Sequence, residues 1–357
     1  MNLFRDFKTE NLIFKDERVF SSEYLPDEIV GREPQIQEIV SALKAVERKT
    51  RIPSMVLSGP PGTGKTCCTK YVLKQLQEYT QRAIIIYINC WQNGTRHSIL
   101  TRVLEGIDPL TPQSGMTADR IIDKIGTELK NSKKSAIVVL DEADALAQGK
   151  EETVFYDLLR AYETIGAEIS VIAIANHPDF AMLLDKRVRS SLAQMSIKFN
   201  PYTPEEMRDI LTERATLGIH TGTYDEDVIG KCAAFAAKNG GDARIGITLL
   251  WLSGRETEAR NGGKITTDDV EAAKQHIATV IGNNVAENKI EQNELEKRIL
   301  ELLKNGELES AKIYEKLGIA ERTGRRYLEK MESMGIVESR RAEEKRGNVR
   351  IIWIKKK

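Results

Sequence analysis

An eight-residue run, Gly59-Pro60-Pro61-Gly62-Thr63-Gly64-Lys65-Thr66, constrains this chain more than any other stretch. It follows the apolar Met55-Val56-Leu57 and precedes a helix-like segment over 67–78. A strand, a glycine-rich turn and a helix N-terminus in that order make a phosphate-binding loop. The glycines let backbone N–H groups close around a phosphate chain, and the helix dipole adds positive potential. Gly62, Thr63 and Gly64 would line the turn, Lys65 would reach the outer phosphates, and the Thr66 hydroxyl would take one place on Mg²⁺. The run predicts a chain that binds a nucleoside triphosphate.

The rest of the body agrees with a sheet carrying that loop. Apolar runs at 54–57, 83–89, 136–140, 169–175 and, more weakly, 195–199 are continuous rather than alternating. Strands of that kind are buried on both faces, which predicts a parallel sheet between helix layers. Between the second and third runs, Pro109-Leu110-Thr111-Pro112-Gln113-Ser114-Gly115 breaks the helical pattern in two and reads as an insertion. From Pro204 the pattern is helical throughout, over 204–217, 225–238, 243–259 and 267–280. Thr203-Pro204-Glu205-Glu206 and Thr266-Thr267-Asp268-Asp269 have the residues of capped helix starts. A polar, Asn-containing linker over 282–293 leads to predicted helices at 291–304, 309–317 and 321–334 and to strands at 336–339 and 349–354. A chain of 357 residues holds about two or three domains. The expected division is an α/β core over 1–200 that carries the phosphate loop, an all-helical domain over 201–284 and a small domain of helices and strands over 285–357.

No apolar run approaches the roughly 18 residues of a membrane span, and Met1-Asn2-Leu3-Phe4-Arg5-Asp6 lacks the anatomy of a signal peptide. The expected location is cytoplasmic. The four cysteines have no metal-binding spacing, and the adjacent Cys67-Cys68 reads as helix packing. Net charge is zero, yet residues 321–357 carry 12 Lys and Arg against 6 Glu, a net of +6 on an otherwise acidic chain. A basic block of this kind suits a polyanion partner.

Two further features carry chemistry. Ile137-Val138-Val139-Leu140 runs into Asp141-Glu142-Ala143-Asp144, so a buried strand delivers carboxylates to the edge of the sheet beside the phosphate loop. Asp141 would hold Mg²⁺, and Glu142 would position and polarise the attacking water. The next strand ends in Asn176, whose amide can hydrogen-bond the γ-phosphate or that water without adding charge. In the basic block, Gly324, Tyr327, Leu328, Met331 and Met334 fall at helical spacing on one face, and Arg322, Arg325, Arg326 and Lys330 on another. Preceded by a shorter helix, this is a helix-turn-helix plan. The strand pair frames Arg340, Arg341, Lys345 and Arg346, a basic wing suited to phosphate or minor-groove contact.

These residues resemble the AAA+ ATPases. Within them the chain is similar to archaeal replication initiators related to the origin-recognition complex and its helicase-loading partner, from Phe14-Lys15-Asp16, Tyr24-Leu25-Pro26 and Gly31-Arg32-Glu33 through core, lid and terminal winged helix. The resemblance implies an AAA+ core with a parallel sheet, an all-α lid and a C-terminal winged helix. It implies ATP or ADP with Mg²⁺ as ligands, and weak ATPase activity used as a switch. It also implies double-stranded origin DNA, other initiator subunits and the replicative helicase as partners. By position, Arg187 (with Arg189 as the alternative) corresponds to the arginine that reaches a neighbour's γ-phosphate, and Arg244 to the lid arginine on the chain's own nucleotide. Tyr202, Arg214 and Arg32 correspond to the adenine side, and residues 109–116 to an insertion that contacts DNA in relatives. An AAA+ transcription regulator and a clamp-loader or helicase-loader subunit are the competing readings.

Overall fold

The computed structural model describes residues 13–48, 50–112, 115–149, 151–277, 298–299, 301–303, 306–317, 324, 325, 328, 331, 332, 337–341 and 350–354. They belong to two compact units, Met1–Lys274 and Gln275–Lys357. The first is built on five strands: β1 (Met55–Ser58), β2 (Ala83–Asn89), β3 (Ser135–Asp141), β4 (Ile169–Ala175) and β5 (Met195–Lys198). All are parallel, in the order β2-β3-β4-β1-β5. Because β4 lies between β1 and β3, the loop after β1, the acids after β3 and the asparagine after β4 emerge side by side at one sheet edge.

The continuous apolarity of the strands has a direct cause. Along β3, Ala136, Val138 and Leu140 enter a core shared with helices Arg96–Ile107, Ala118–Ser132 and Thr153–Leu159. Ile137 and Val139 face a second core with helices Glu33–Leu43 and Lys65–Tyr79. Successive side chains point to opposite faces, and both faces are covered.

Helices Pro204–Gly218, Glu226–Lys238, Ala243–Ala259 and residues 267–277 follow the sheet. Thr203 and Glu206 form a reciprocal capping box, Thr203 N–H donating to Glu206 at 2.8 Å and Glu206 N–H to the Thr203 hydroxyl at 3.2 Å. Residues 278–297, which hold the expected linker, lie outside the described residues. So do 113 and 114 of the insertion; Leu110 on its near side is 90% exposed.

In the second unit, β6 (Leu308–Glu309), β7 (Val337–Arg341) and β8 (Arg350–Ile354) make an antiparallel sheet in the order β6-β8-β7. Helix Ser310–Leu317 follows β6 directly. Ile299, Leu303, Ile313, Leu317, Leu328, Met331, Val337 and Ile352 pack together as its core. β6 is absent from the sequence reading, which runs a helix through Glu309, because two residues are too few to display an alternation. Among the described residues, no helix is long and apolar enough to cross a membrane.

Candidate nucleotide site

At the carboxyl edge of the sheet lies a cavity of about 250 Å³. The phosphate loop, Asp141, Glu142 and Asn176 make its floor; Arg214 and Arg244 come from the helical part, Tyr202 from just before it, and residues of 21–26 and 28–30 close the far side. Gly62 and Gly64 have φ of +70° and +93°, as the turn requires. A side chain at Gly62 is excluded a second time: its Cβ would stand 1.7 Å from an Asp242 carboxylate oxygen. Asp242 caps helix Ala243–Ala259, and the first N–H of that helix donates to the Gly62 carbonyl at 3.1 Å. The helical part is thereby fastened to the phosphate loop itself.

Lys65 is 5% exposed, and its ammonium donates to the carbonyls of Gly59 and Pro60, each at 2.7 Å. Burial lowers its pKa from 10.5 to about 8, against the pull of Asp141 and Asp144. A bound polyphosphate favours the charged form, so its binding takes up a proton above that value. Affinity for ATP and ADP is therefore expected to fall as pH rises through about 8, approaching tenfold per pH unit, and to be flat below it. Equilibrium titrations between pH 6.5 and pH 9.5 check this; a flat profile would mean that Lys65 of the free protein stays charged across that range.

The metal-side residues meet as well. The Thr66 hydroxyl lies 3.0 Å from Asp141 Oδ2, Glu142 N–H donates to Asp141 Oδ1 at 2.9 Å, and the Tyr87 phenol donates to Asp141 Oδ2. Glu142 stands at φ +56°, which turns its carboxylate off the end of β3, where the Asn89 amide donates to it at 3.3 Å. Asp144 accepts from the backbone N–H of Asn176 at 2.6 Å and of His177 at 3.1 Å, and so holds the end of β4. Tyr87, Asn89 and Asp144 were missed in the sequence. Asn89 ends β2 in register with Asp141, and that pairing is the only signal that marks it.

The arginines divide by partner. Arg244 lines the cavity and is held bidentately by Asp242, at 2.7 and 3.1 Å. Arg214, 7% exposed, donates to the Val19 carbonyl at 2.9 Å and lies 4.5 Å from the Tyr24 ring, while its Nε has no hydrogen-bond partner among the described residues. Arg32 is not in the cavity wall: it stacks on Tyr202 at 3.7 Å and donates to the carbonyls of Thr63 and Asn200 at 2.9 and 2.6 Å, tying the loop to the start of the helices. Arg187 is the second residue of helix Lys186–Leu192; its side chain is 77% exposed, pairs with Asp185 at 3.1 Å and does not line this cavity. Arg189 contacts the Met182 sulfur at 3.1 Å. In the second unit Arg325 is exposed, and Arg340 reaches both oxygens of Glu307 at 3.1 Å. Arg341 is in β7; Arg322, Arg326, Lys345 and Arg346 lie outside the described residues.

Residues 49–184 match the family described as AAA domain, and residues 208–275 the Cdc6 AAA+ ATPase-type lid domain. The ORC1-type DNA replication protein 1 of Sulfolobus acidocaldarius is 32% identical over 345 residues, 92% of this chain and 86% of that protein. The chain belongs to the ORC1-type DNA replication proteins. The ORC1-type protein 1 of Sulfurisphaera tokodaii is 36% identical over 267 residues, 74% of this chain and 67% of the relative. The solved structure of Aeropyrum pernix ORC1 in complex with DNA superposes with a TM-score of 0.70 at 26% identity, covering 96% of this chain and 94% of that one. As an ORC1-type AAA+ ATPase the chain is a nucleotide-binding replication initiator.

Proposed function

We propose that the chain binds ATP or ADP with Mg²⁺, hydrolyses ATP slowly, and uses the nucleotide state to set how it engages double-stranded DNA at a replication origin. The observation that carries this reading is the meeting of Lys65, Thr66, Asp141, Glu142, Asn176 and Arg244 in one cavity. The donor set fits the ligands: a glycine turn and a buried ammonium suit phosphates, and a hydroxyl touching a carboxylate suits a hard cation with oxygen ligands. Thr66 and Asp141 would hold the Mg²⁺, which neutralises charge on the phosphate oxygens. Glu142 would orient and polarise the water, Asn176 would bond the γ-phosphate side, and Arg244 would exchange Asp242 for phosphate. Tyr202 and Arg214 would border the base, with Arg32 bracing Tyr202 from behind.

Slow hydrolysis follows if Arg187 serves a neighbour's γ-phosphate, since an isolated chain then lacks that cation. Other initiator subunits, and the replicative helicase they recruit, are the corresponding partners. The division at 1–200, 201–284 and 285–357 belongs to the same reading, with 285–357 as a winged helix that contacts DNA through Arg322, Arg325, Arg326, Arg340, Arg341, Lys345 and Arg346. The antiparallel sheet of the second unit and the net +6 of its last 37 residues support it. Duplex affinity should fall steeply with salt, and a chain ending at Gly282 should lose most of it. Footprinting on genomic DNA tests the site: protection of origin repeats is expected, whereas protection of promoters would favour a regulator. Unchanged duplex affinity in the truncated chain would move DNA contact to residues 109–116.

A further inference from the structure

Tyr87 belongs to none of the assigned roles, yet it touches the carboxylate on which the magnesium reading rests. β2 is an edge strand, and its Asn89 lies in register with Asp141 of β3. Side chains two residues apart share a face, so Tyr87 stands on the same side of the sheet as Asp141, one two-residue rise of about 6.6 Å behind it. A tyrosine is long enough to cover that rise. Its hydroxyl donates to Asp141 Oδ2, the oxygen that also faces the Thr66 hydroxyl at 3.0 Å. Glu142 N–H takes Oδ1 at 2.9 Å. The ring is fixed from the other side by Lys70, whose Nζ lies 5.0 Å from its centroid. Lys70 is one turn beyond Thr66 on helix Lys65–Tyr79, so one helix sets both Thr66 and the clamp on Tyr87.

We infer that Tyr87 is a positioning residue for the metal site: its hydroxyl fixes the rotation of the Asp141 carboxylate, and through it the direction of the Thr66 lone pair offered to Mg²⁺. A carboxylate bonded on one edge to Glu142 N–H alone turns about its last bond; a phenol on Oδ2 stops that rotation. The two hydroxyls donate to one oxygen, which keeps the Thr66 proton on Asp141 and its lone pair outward. Outer hydrogen bonds of this type change metal affinity by about 10- to 100-fold. The inference rests on the reading that Thr66 and Asp141 hold the metal.

Tyr87→Phe removes one oxygen from a residue that is 36% exposed, so the fold should survive. Binding of a fluorescent ATP analogue is titrated against Mg²⁺, and separately in excess EDTA, with thermal melting as a check on folding. The expected result is a rise of about tenfold or more in the Mg²⁺ concentration for half-maximal tightening, with EDTA affinity and melting temperature unchanged. An unaltered magnesium response overturns the inference; so does an equal loss of affinity with and without Mg²⁺, which marks a merely structural role. Asp141→Ala is measured in parallel. If it keeps the wild-type magnesium response, the metal assignment fails and takes the role of Tyr87 with it. If only Tyr87→Phe does so, the metal assignment stands.

Discussion

Replacing Lys65 with alanine is expected to abolish stable binding of both ATP and ADP. The ammonium now bonds to the Gly59 and Pro60 carbonyls, at the mouth of the turn whose backbone faces the phosphates. Transferred to phosphate oxygens, it would make charge-assisted hydrogen bonds worth about 1.5–3 kcal/mol each. Two such bonds correspond to roughly 3–6 kcal/mol, or about 10²–10⁴-fold in affinity. The protein without ligand should not suffer in proportion. A lysine whose pKa is lowered by burial works against the folded state below about pH 8, so its removal relieves a cost at neutral pH. Filter binding together with a melting curve therefore separates lost binding from lost fold. Unchanged affinity in a folded variant would overturn the phosphate-loop assignment.

Glu142→Gln should uncouple binding from turnover. The substitution keeps the length of the side chain, its contact with Asn89 and the backbone turn at φ +56°. It leaves Asp141 and Thr66 untouched, so nucleotide and metal should bind as before. What disappears is the negative charge that polarises water, and the loss of a general acid–base group costs about 10²–10⁴-fold. Slow phosphate release at wild-type ATP affinity is the expected outcome; normal release would remove Glu142 from the reaction. The positive φ adds weight to the assignment. A glutamate held in the left-handed region costs of order 1–3 kcal/mol, and such positions cluster at functional sites.

Several parts of this architecture are legible in the chain itself because their cause is local. β2 and β4 run over the residues their apolarity predicts, 83–89 and 169–175; along β4 every side chain is buried, and its one polar residue, Ser170, donates to the Pro53 carbonyl at 3.1 Å. Helix Pro204–Gly218 begins where Thr203 and Glu206 cap it, an interaction that spans four residues. The phosphate loop is readable for the same reason: its glycines answer to the dihedral angles of one turn. Even the neighbouring positions of Lys65, Asp141 and Asn176 can be anticipated, because each follows a buried strand of one parallel sheet.

What remained hidden depends on residues far apart in the chain. An arginine is compatible with many partners, and only the fold gives Arg32 two carbonyls, 31 and 168 positions away, in preference to the cavity. Tyr87 looks like any apolar position of an edge strand until the register of β2 on β3 sets its hydroxyl against Asp141. Asp242 caps helix Ala243–Ala259, a local role, but its seat over Gly62 follows from how the helical part packs on the loop. The chemistry of the phosphate loop and the acid pair was thus determined by the sequence, where short-range geometry dictates residue type. The shell that orients those groups was decided by tertiary structure, because hydrogen-bond partners of long polar side chains are selected by strand register and packing.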